Sequence, residues 1–204
     1  MKTAIVSGME CAGSTAIWQM IQQLGVDVSK EHGYTASNEN RIVFATLRDI
    51  RDVVTSLWRR ECLGTKNDPD NYALGCMKYV EARFHQMRYY EMDANAEIIR
   101  YESFMSNPEG TFDRICQRLE IEVSPTRRRR IIAYCSLEKN KERADSMKEF
   151  SEWNRDNLIH GNHISTGGKI GSWNDLAATL NPETVETIEE KSREFLLHFG
   201  YETN

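Results

Sequence analysis

The chain has no apolar run approaching the roughly 18 residues that span a bilayer, and no signal-peptide pattern precedes its first strand. A cytoplasmic protein with no membrane partner is the expectation. It has no excess of positive charge: 26 lysines and arginines stand against 31 aspartates and glutamates, for a net charge of −5. That argues against a dedicated nucleic-acid binder, although a local basic pocket is compatible with it. Its five cysteines are an odd number and suit a reducing compartment. His85, His160, His163 and His198 are scattered, none at metal-ligand spacing from cysteines or carboxylates, so no metal site is expected. No repeat or low-complexity block is visible. What remains is an ordinary composition, 40% hydrophobic and 28% charged, compatible with one domain over residues 1–204 that buries a sizeable core.

The first fifteen residues carry most of the information. Met1 to Ser7 reads as a short buried strand centred on Ala4, Ile5 and Val6. Gly8 to Thr15 has the glycine spacing of a phosphate-cradling loop, and Ala16 to Leu24 continues as a helix. That order aims backbone N–H groups and a helix dipole at an anion. The lysine of the usual nucleotide-hydrolase loop is missing, because Ser14 occupies its place.

Downstream, Val26 to Ser29 reads as a brief extended piece and Arg41 to Leu47 as a central parallel strand. Asp49 to Arg60 reads as a helix with Val53, Val54, Leu57 and Trp58 on one face. Asp68 and Pro69 form a helix start, and one long helix is expected from Tyr72 to Met92, with Tyr79, Phe84, Met87 and Tyr90 as core. Ala96 to Tyr101 reads as a third strand. Helices are expected from Asn107-Pro108-Glu109 to Leu119, from Pro125, and from Asn181-Pro182-Glu183 to about His198, with Gly200 as the stop. Glu138 to Gly161 reads as polar and partly helical, anchored by Phe150, Trp153 and Leu158; His163 to Ser172 reads as a glycine-containing loop. The run Arg127 to Arg130 suggests a solvated face paired with Glu120, Glu122 or Glu138. Strands separated by helices predict an α/β, P-loop-type three-layer fold with a central parallel sheet flanked by helices, and a ligand at the carboxyl ends of the strands.

Four segments, in order, resemble the sulfotransferases that use 3′-phosphoadenosine 5′-phosphosulfate (PAPS). Ser7 to Thr15 is similar to the family's 5′-phosphosulfate loop. Arg48 to Ser56, an arginine with a serine eight residues later, is similar to its 3′-phosphate motif and is the most specific piece. Arg100 to Phe104, followed by Asn107-Pro108-Glu109, resembles the strand end and next helix start. Gly167 to Trp173 with Leu180 to Glu183 resembles the C-terminal nucleotide loop and the helix after it. Lys30-Glu31-His32 resembles the family's Lys-x-His pair. The resemblance implies PAPS as donor and 3′-phosphoadenosine 5′-phosphate (PAP) as product, with no metal and a small-molecule acceptor. It implies cofactor contacts from Cys11, Ala12, Gly13, Ser14, Thr15, Arg48, Ser56, Tyr101, Gly167, Gly168 and Lys169. It implies His32 and Lys30 as catalytic groups.

The chain departs from the family in three places. Cys11 stands where the loop usually has a cation. Ala16 stands where a tryptophan often stacks on adenine, with Trp18 nearby. Thr166-Gly167-Gly168 replaces Arg-Lys-Gly, with Lys169 just beyond.

On the chemistry, Arg48 is suited to clamp a phosphate bidentately or to pair with Asp49 or Asp52 at a helix start. His32 titrates near neutrality and suits an acceptor proton. Lys30 suits charge developing on the leaving group. His163 is a second candidate for the site. Cys11 is placed where a thiolate would be stabilised, or is a small loop-filling side chain. Two other readings stay open: a PAP- or PAPS-binding protein without transfer activity, and, less favoured, a P-loop nucleotide kinase. The acceptor and the oligomeric state are not legible.

Overall fold

The computed structural model describes residues 2–62, 68–147, 152–161, 164 and 167–203. The chain begins β1 (Thr3–Gly8), α1 (Ser14–Gln23), β2 (Val28–Lys30), β3 (Arg41–Leu47) and α2 (Ile50–Cys62). It continues with α3 (Pro69–Cys76), a 3-10 turn at Met77–Tyr79, α4 (Val80–Met92), β4 (Ala96–Arg100) and α5 (Tyr101–Ser106). Then come α6 (Pro108–Leu119), α7 (Pro125–Tyr134), α8 (Leu137–Asp145), the pair β5 (Trp153–Asn154) and β6 (Ile159–His160), α9 (Trp173–Ala177) and α10 (Pro182–His198).

The sheet runs β2-β1-β3-β4 with every pairing parallel. Alternation along the strands feeds two cores, because successive side chains point to opposite faces. Ala4, Val6, Ile42 and Phe44 pack with α1, α6 and α7. Ile5, Val43, Ala45 and Leu47 pack with α2, α3, α4, α9 and α10. Both faces of the central strands are covered, which is why they read as continuous apolar runs. The expected α/β three-layer architecture with a parallel sheet is present.

The differences from the sequence reading have local causes. The brief extended piece becomes the edge strand β2, in register with β1 at Ala4–Val28 and Val6–Lys30. The expected long helix starts earlier, where the Asp68 side chain accepts from the N–H groups of Asp70 and Asn71. It is then interrupted after Gly75, a weak helix former, by the 3-10 turn. Tyr79 is half-exposed, whereas Phe84, Met87 and Tyr90 are buried. Tyr101 opens a helix rather than closing the strand. In the polar stretch, α8 and the β5–β6 hairpin form; Trp153 is exposed, Leu158 half-buried, and Phe150 lies outside the described residues. Arg128 pairs with Glu109 (2.7 Å) and Asp113 (2.8 Å), not with the expected glutamates, because α7 packs against α6. Arg127 donates to the Gln23 carbonyl (2.9 Å).

Gly8 closes β1 at φ +121°, and a Cβ there would sit 2.4 Å from both the N and O of Thr46 on β3. Only glycine lets the chain leave the sheet this close to its neighbour. Gly8→Ala is expected to destabilise the fold by about 2 kcal/mol or more, since the backbone conformation alone costs an L-residue about 1–2 kcal/mol. An unchanged urea midpoint would contradict this.

Candidate functional site

At the carboxyl ends of β1, β2 and β3 lies a cavity of about 710 Å³. Its floor is the turn between β1 and α1, where Cys11 (φ 56°) and Gly13 (φ 82°) take the left-handed conformation. The α1 N-terminus has no side-chain cap and no acidic residue in its first turn. Its N–H groups are therefore left to an anion or to water. Trp18, Phe104, Leu137, Leu158 and Ile159 contribute an apolar wall.

Arg48 leaves β3 and is buried, at 2% exposure. Its Nη1 donates to the Cys11 carbonyl (2.8 Å) and Ser56 Oγ (3.2 Å). Its Nη2 donates to the Lys169 carbonyl (2.8 Å) and Asp52 (3.4 Å). The guanidinium lies over the Tyr101 ring, 4.3 Å from its centroid, and the Tyr101 hydroxyl donates to the Gly168 carbonyl (2.9 Å). Arg48 Nε, also buried, has no hydrogen-bond partner among the described residues. Of the two partners considered from the sequence, Asp52 meets Arg48, while Asp49 pairs with Arg51 (2.8 Å). A buried Asp52 carboxylate also accepts from the N–H groups of Gly171 (2.9 Å) and Trp173 (2.9 Å) and from Ser172 Oγ (3.1 Å).

Lys30 ends β2 and donates to the Thr15 hydroxyl (2.7 Å). Burial pulls its pKa down to about 8, with the Cys11 side chain opposing. His32 follows on a bend. Its segment is held by the Glu31 N–H on the Val6 carbonyl (2.9 Å), by Arg83 Nη1 on the His32 carbonyl (3.0 Å) and by Ser7 Oγ on the Gly33 carbonyl (2.8 Å). Burial, then the charges of Lys30 and Arg83, lower the His32 pKa against the opposing pull of Glu10. The imidazole is therefore neutral at neutral pH. Glu10 is engaged by Arg83. Burial raises the Cys11 pKa despite Arg60, Arg48 and Lys30, so the side chain is a thiol and not the stabilised thiolate considered from the sequence.

The structure thus brings Cys11, Gly13, Ser14, Thr15, Lys30, His32, Arg48, Ser56, Tyr101 and Gly168 to one cavity. Ala12 is buried behind the loop. Neither it nor Gly167 lines the cavity, and Lys169 turns its ammonium to Asp175 (2.6 Å), offering only its carbonyl to Arg48. His163 and Thr166 lie outside the described residues. Sequence reasoning missed Arg60, which lines the cavity, and Arg83, which holds the His32 segment; it considered Asp52 as a partner of Arg48 but not as the anchor of the C-terminal loop. The i,i+4 relation of Ser56 to Arg60 on an α2 already assigned as helix was the available signal for the first.

The sulfotransferase domain family matches residues 32–200. The chain belongs to the sulfotransferase family. The matched stretch holds His32 and the Arg48–Ser56 segment and leaves the glycine loop before it. Among solved structures, a mouse sulfotransferase complexed with PAP is similar at TM-score 0.69 and 12% identity, over 96% of this chain and 84% of that one. A retinol dehydratase in complex with androsterone and PAP is similar at TM-score 0.72 and 14% identity, over 96% and 81%. No curated protein matches the chain by sequence.

Asp52 positions both the arginine and the C-terminal loop. Asp52→Asn is expected to destabilise the protein by about 3 kcal/mol, because a buried arginine loses its counter-charge. It should also make the bond after Lys169 an early site of tryptic cleavage. Wild-type stability together with a wild-type cleavage pattern would refute this role.

Proposed function

We propose that this sulfotransferase-family chain transfers the sulfuryl group of PAPS to the hydroxyl or amine of a small acceptor, releasing PAP. The observation that carries the reading is Arg48, buried at the loop with its Nε facing no protein acceptor among the described residues. A buried N–H without a partner is costly, and an oxyanion of the 3′-phosphate would supply one. Ser56, 3.2 Å from the same guanidinium, adds a hydroxyl donor. The uncapped α1 N-terminus and the Ser14 and Thr15 hydroxyls are suited to the 5′-phosphosulfate. When bound, PAPS supplies an activated sulfuryl group, whose S–O bond to the bridging phosphate oxygen breaks as a new S–O or S–N bond forms to the acceptor.

The residues of the chain then have separate tasks. Neutral His32 accepts the acceptor's proton and passes it to solvent. Lys30, beside Thr15, opposes the charge that builds on the bridging oxygen. The chemistry requires no metal. Among the described residues no helix is long and apolar enough to cross a membrane, and no disulfide joins the five cysteines. We extend the proposal to a single domain over residues 1–204 working in the cytoplasm.

Titration calorimetry is expected to show PAP binding at least ten-fold tighter than adenosine 5′-phosphosulfate or ADP with magnesium, since only PAP carries the 3′-phosphate. Equal affinities would remove the donor assignment.

For transfer, kcat/KM for the donor should rise with pH through a limb below 6.5, as His32 loses its proton. It should fall around pH 8 as Lys30 loses its charge. His32→Ala should reduce the rate about 100-fold or more with PAP affinity unchanged; a variant within a few-fold of wild type excludes His32 as the base. A chain that binds PAP without transferring to any acceptor would satisfy the calorimetry alone, which is the mark of the binding-protein reading.

A further inference from the structure

We infer that Gln19 is a positioning residue: its buried carboxamide fixes the β5–β6 hairpin as an apolar wall of the cavity, and PAP affinity depends on that wall; this rests on the donor proposed above. Gln19 lies on α1 beside Ile17, Trp18, Met20 and Ile21 and is fully buried, at 0% exposure. It does not itself line the cavity. A carboxamide in an apolar core costs free energy unless its polar atoms are met, and a leucine or methionine would fill the place without that cost. Here the bonds reach two distant segments. Gln19 Nε2 donates to the Asn157 carbonyl in the hairpin turn (2.7 Å), and Oε1 accepts from Asn140 Nδ2 on α8 (2.9 Å). Asn140 is buried as well. Its Nδ2 also donates to the Cys135 carbonyl (3.3 Å), and its Oδ1 accepts from Arg143 Nη1 (2.6 Å). Neither carboxamide leaves a buried polar atom without a partner among the described residues. A buried polar network satisfied in this way rigidifies and specifies one arrangement.

The arrangement that the network specifies is the hairpin. Strands β5 and β6 pair with each other, apart from the main sheet, and a two-stranded hairpin is marginal on its own. Leu158, in its turn, takes the left-handed conformation (φ 56°), which a non-glycine residue keeps only where its surroundings over-determine it. Asn157 supplies two restraints beside it: its carbonyl takes the bond from Gln19, and its Oδ1 accepts from the Ile159 N–H (3.0 Å). Leu158, Ile159 and His160 then line the cavity together with Leu137 and Asn140 of α8. A Cβ at Gly168 would meet Leu137 Cδ2 at 2.7 Å, and the Gly168 carbonyl accepts from Tyr101, whose ring lies under Arg48. The wall is therefore continuous with the pocket of Arg48. Helix α1 carries both the anion-facing N-terminus and the anchor of the wall, so the two keep one spacing. A nucleotide whose phosphates are set by charge still has a ring system to enclose, and a wall that gives way forfeits those contacts.

The test joins calorimetry of PAP to amide hydrogen exchange, on wild type, Gln19→Met, Asn140→Leu and the double variant. Methionine keeps the length of glutamine and makes neither bond. In wild type, PAP should slow exchange of the Ile159 amide on the wall. In Gln19→Met without ligand, that amide should exchange about five-fold faster or more, and PAP should bind about five-fold more weakly or more, the scale of one lost hydrogen bond. The amide of Ile115, buried on α6, should exchange as in wild type. The double variant should bind PAP within about two-fold of the weaker single variant, because both changes cut one tie and their effects do not add. Equal speeding of Ile159 and Ile115, or full additivity, is the mark of a general loss of stability and overturns the positioning role. No protection of Ile159 by PAP, or wild-type PAP affinity in folded Gln19→Met, overturns it too and leaves the donor assignment standing. If Gln19→Met fails to fold by circular dichroism, Gln19→Asn, whose carboxamide is one methylene shorter, decides: faster Ile159 exchange with weaker PAP binding supports the role, and wild-type values overturn it. A wild-type protein that binds no PAP overturns the donor assignment and this inference together.

Discussion

The buried pair of Arg48 and Asp52 is the constraint on which the site depends. One guanidinium bonds the β1–α1 loop through the Cys11 carbonyl and the C-terminal loop through the Lys169 carbonyl. One carboxylate gathers the N–H groups of Gly171 and Trp173 and the Ser172 hydroxyl. Segments from the two ends of the chain are thereby held at the ends of the strands by residues four apart on one helix start. A buried ion pair is weak evidence for stability in itself. Here the carboxylate and the two Nη atoms of the guanidinium are hydrogen-bonded to backbone groups of both loops, so the pair specifies where two loops meet.

Around that pair the electrostatics are arranged with little spare charge. Burial depresses Lys30 and His32 and raises Cys11, all in the direction of the neutral form. For His32 this supplies a neutral ring able to take a proton. For Lys30 it leaves a cation whose proton a bound anion would secure, because a nearby negative charge favours the charged form. Arg83 serves two ends of the same region, fixing the His32 backbone and pairing with Glu10, whose pull toward the charged imidazole is outweighed by burial and by the charges of Lys30 and Arg83. Tyr90 and Ser7 complete the support: Tyr90 donates to Ser7 Oγ (2.9 Å), and the N–H of Thr35 donates to the Tyr90 oxygen (3.0 Å). A core tyrosine on α4 thus orders the segment that carries His32.

Much of the fold was legible because its signals are local. Continuous apolar runs marked β1 and β3, Asn107-Pro108 and Pro125 marked helix starts, and Gly200 marked a stop. The edge strand β2 was read only as an extended piece, since a three-residue strand is defined by its partner and not by its own pattern. The 3-10 turn at Met77–Tyr79 and helix α5 also escaped the sequence reading; in the structure the turn packs against α10 and α5 against α6. Within the site, Arg48 and Ser56 were legible as a spacing, and the structure puts them 3.2 Å apart. Lys169 was not, because a residue next to a glycine loop has no direction in a sequence, and the carboxylate of Asp175 claims its ammonium.

The sequence by itself determined the order of strands and helices, the glycine turn after β1 and the family to which the chain belongs, since each is written in runs and spacings of neighbouring residues. Tertiary structure alone decided which charges meet. That Asp52 holds the far loop from position 171 onward, that Arg60 faces the cavity while Arg59 does not, and that Cys11 is a neutral thiol among cations all depend on burial and on contacts between residues distant in the chain. Those are the quantities that set hydrogen-bond partners and proton affinities, and no local pattern of residue types contains them.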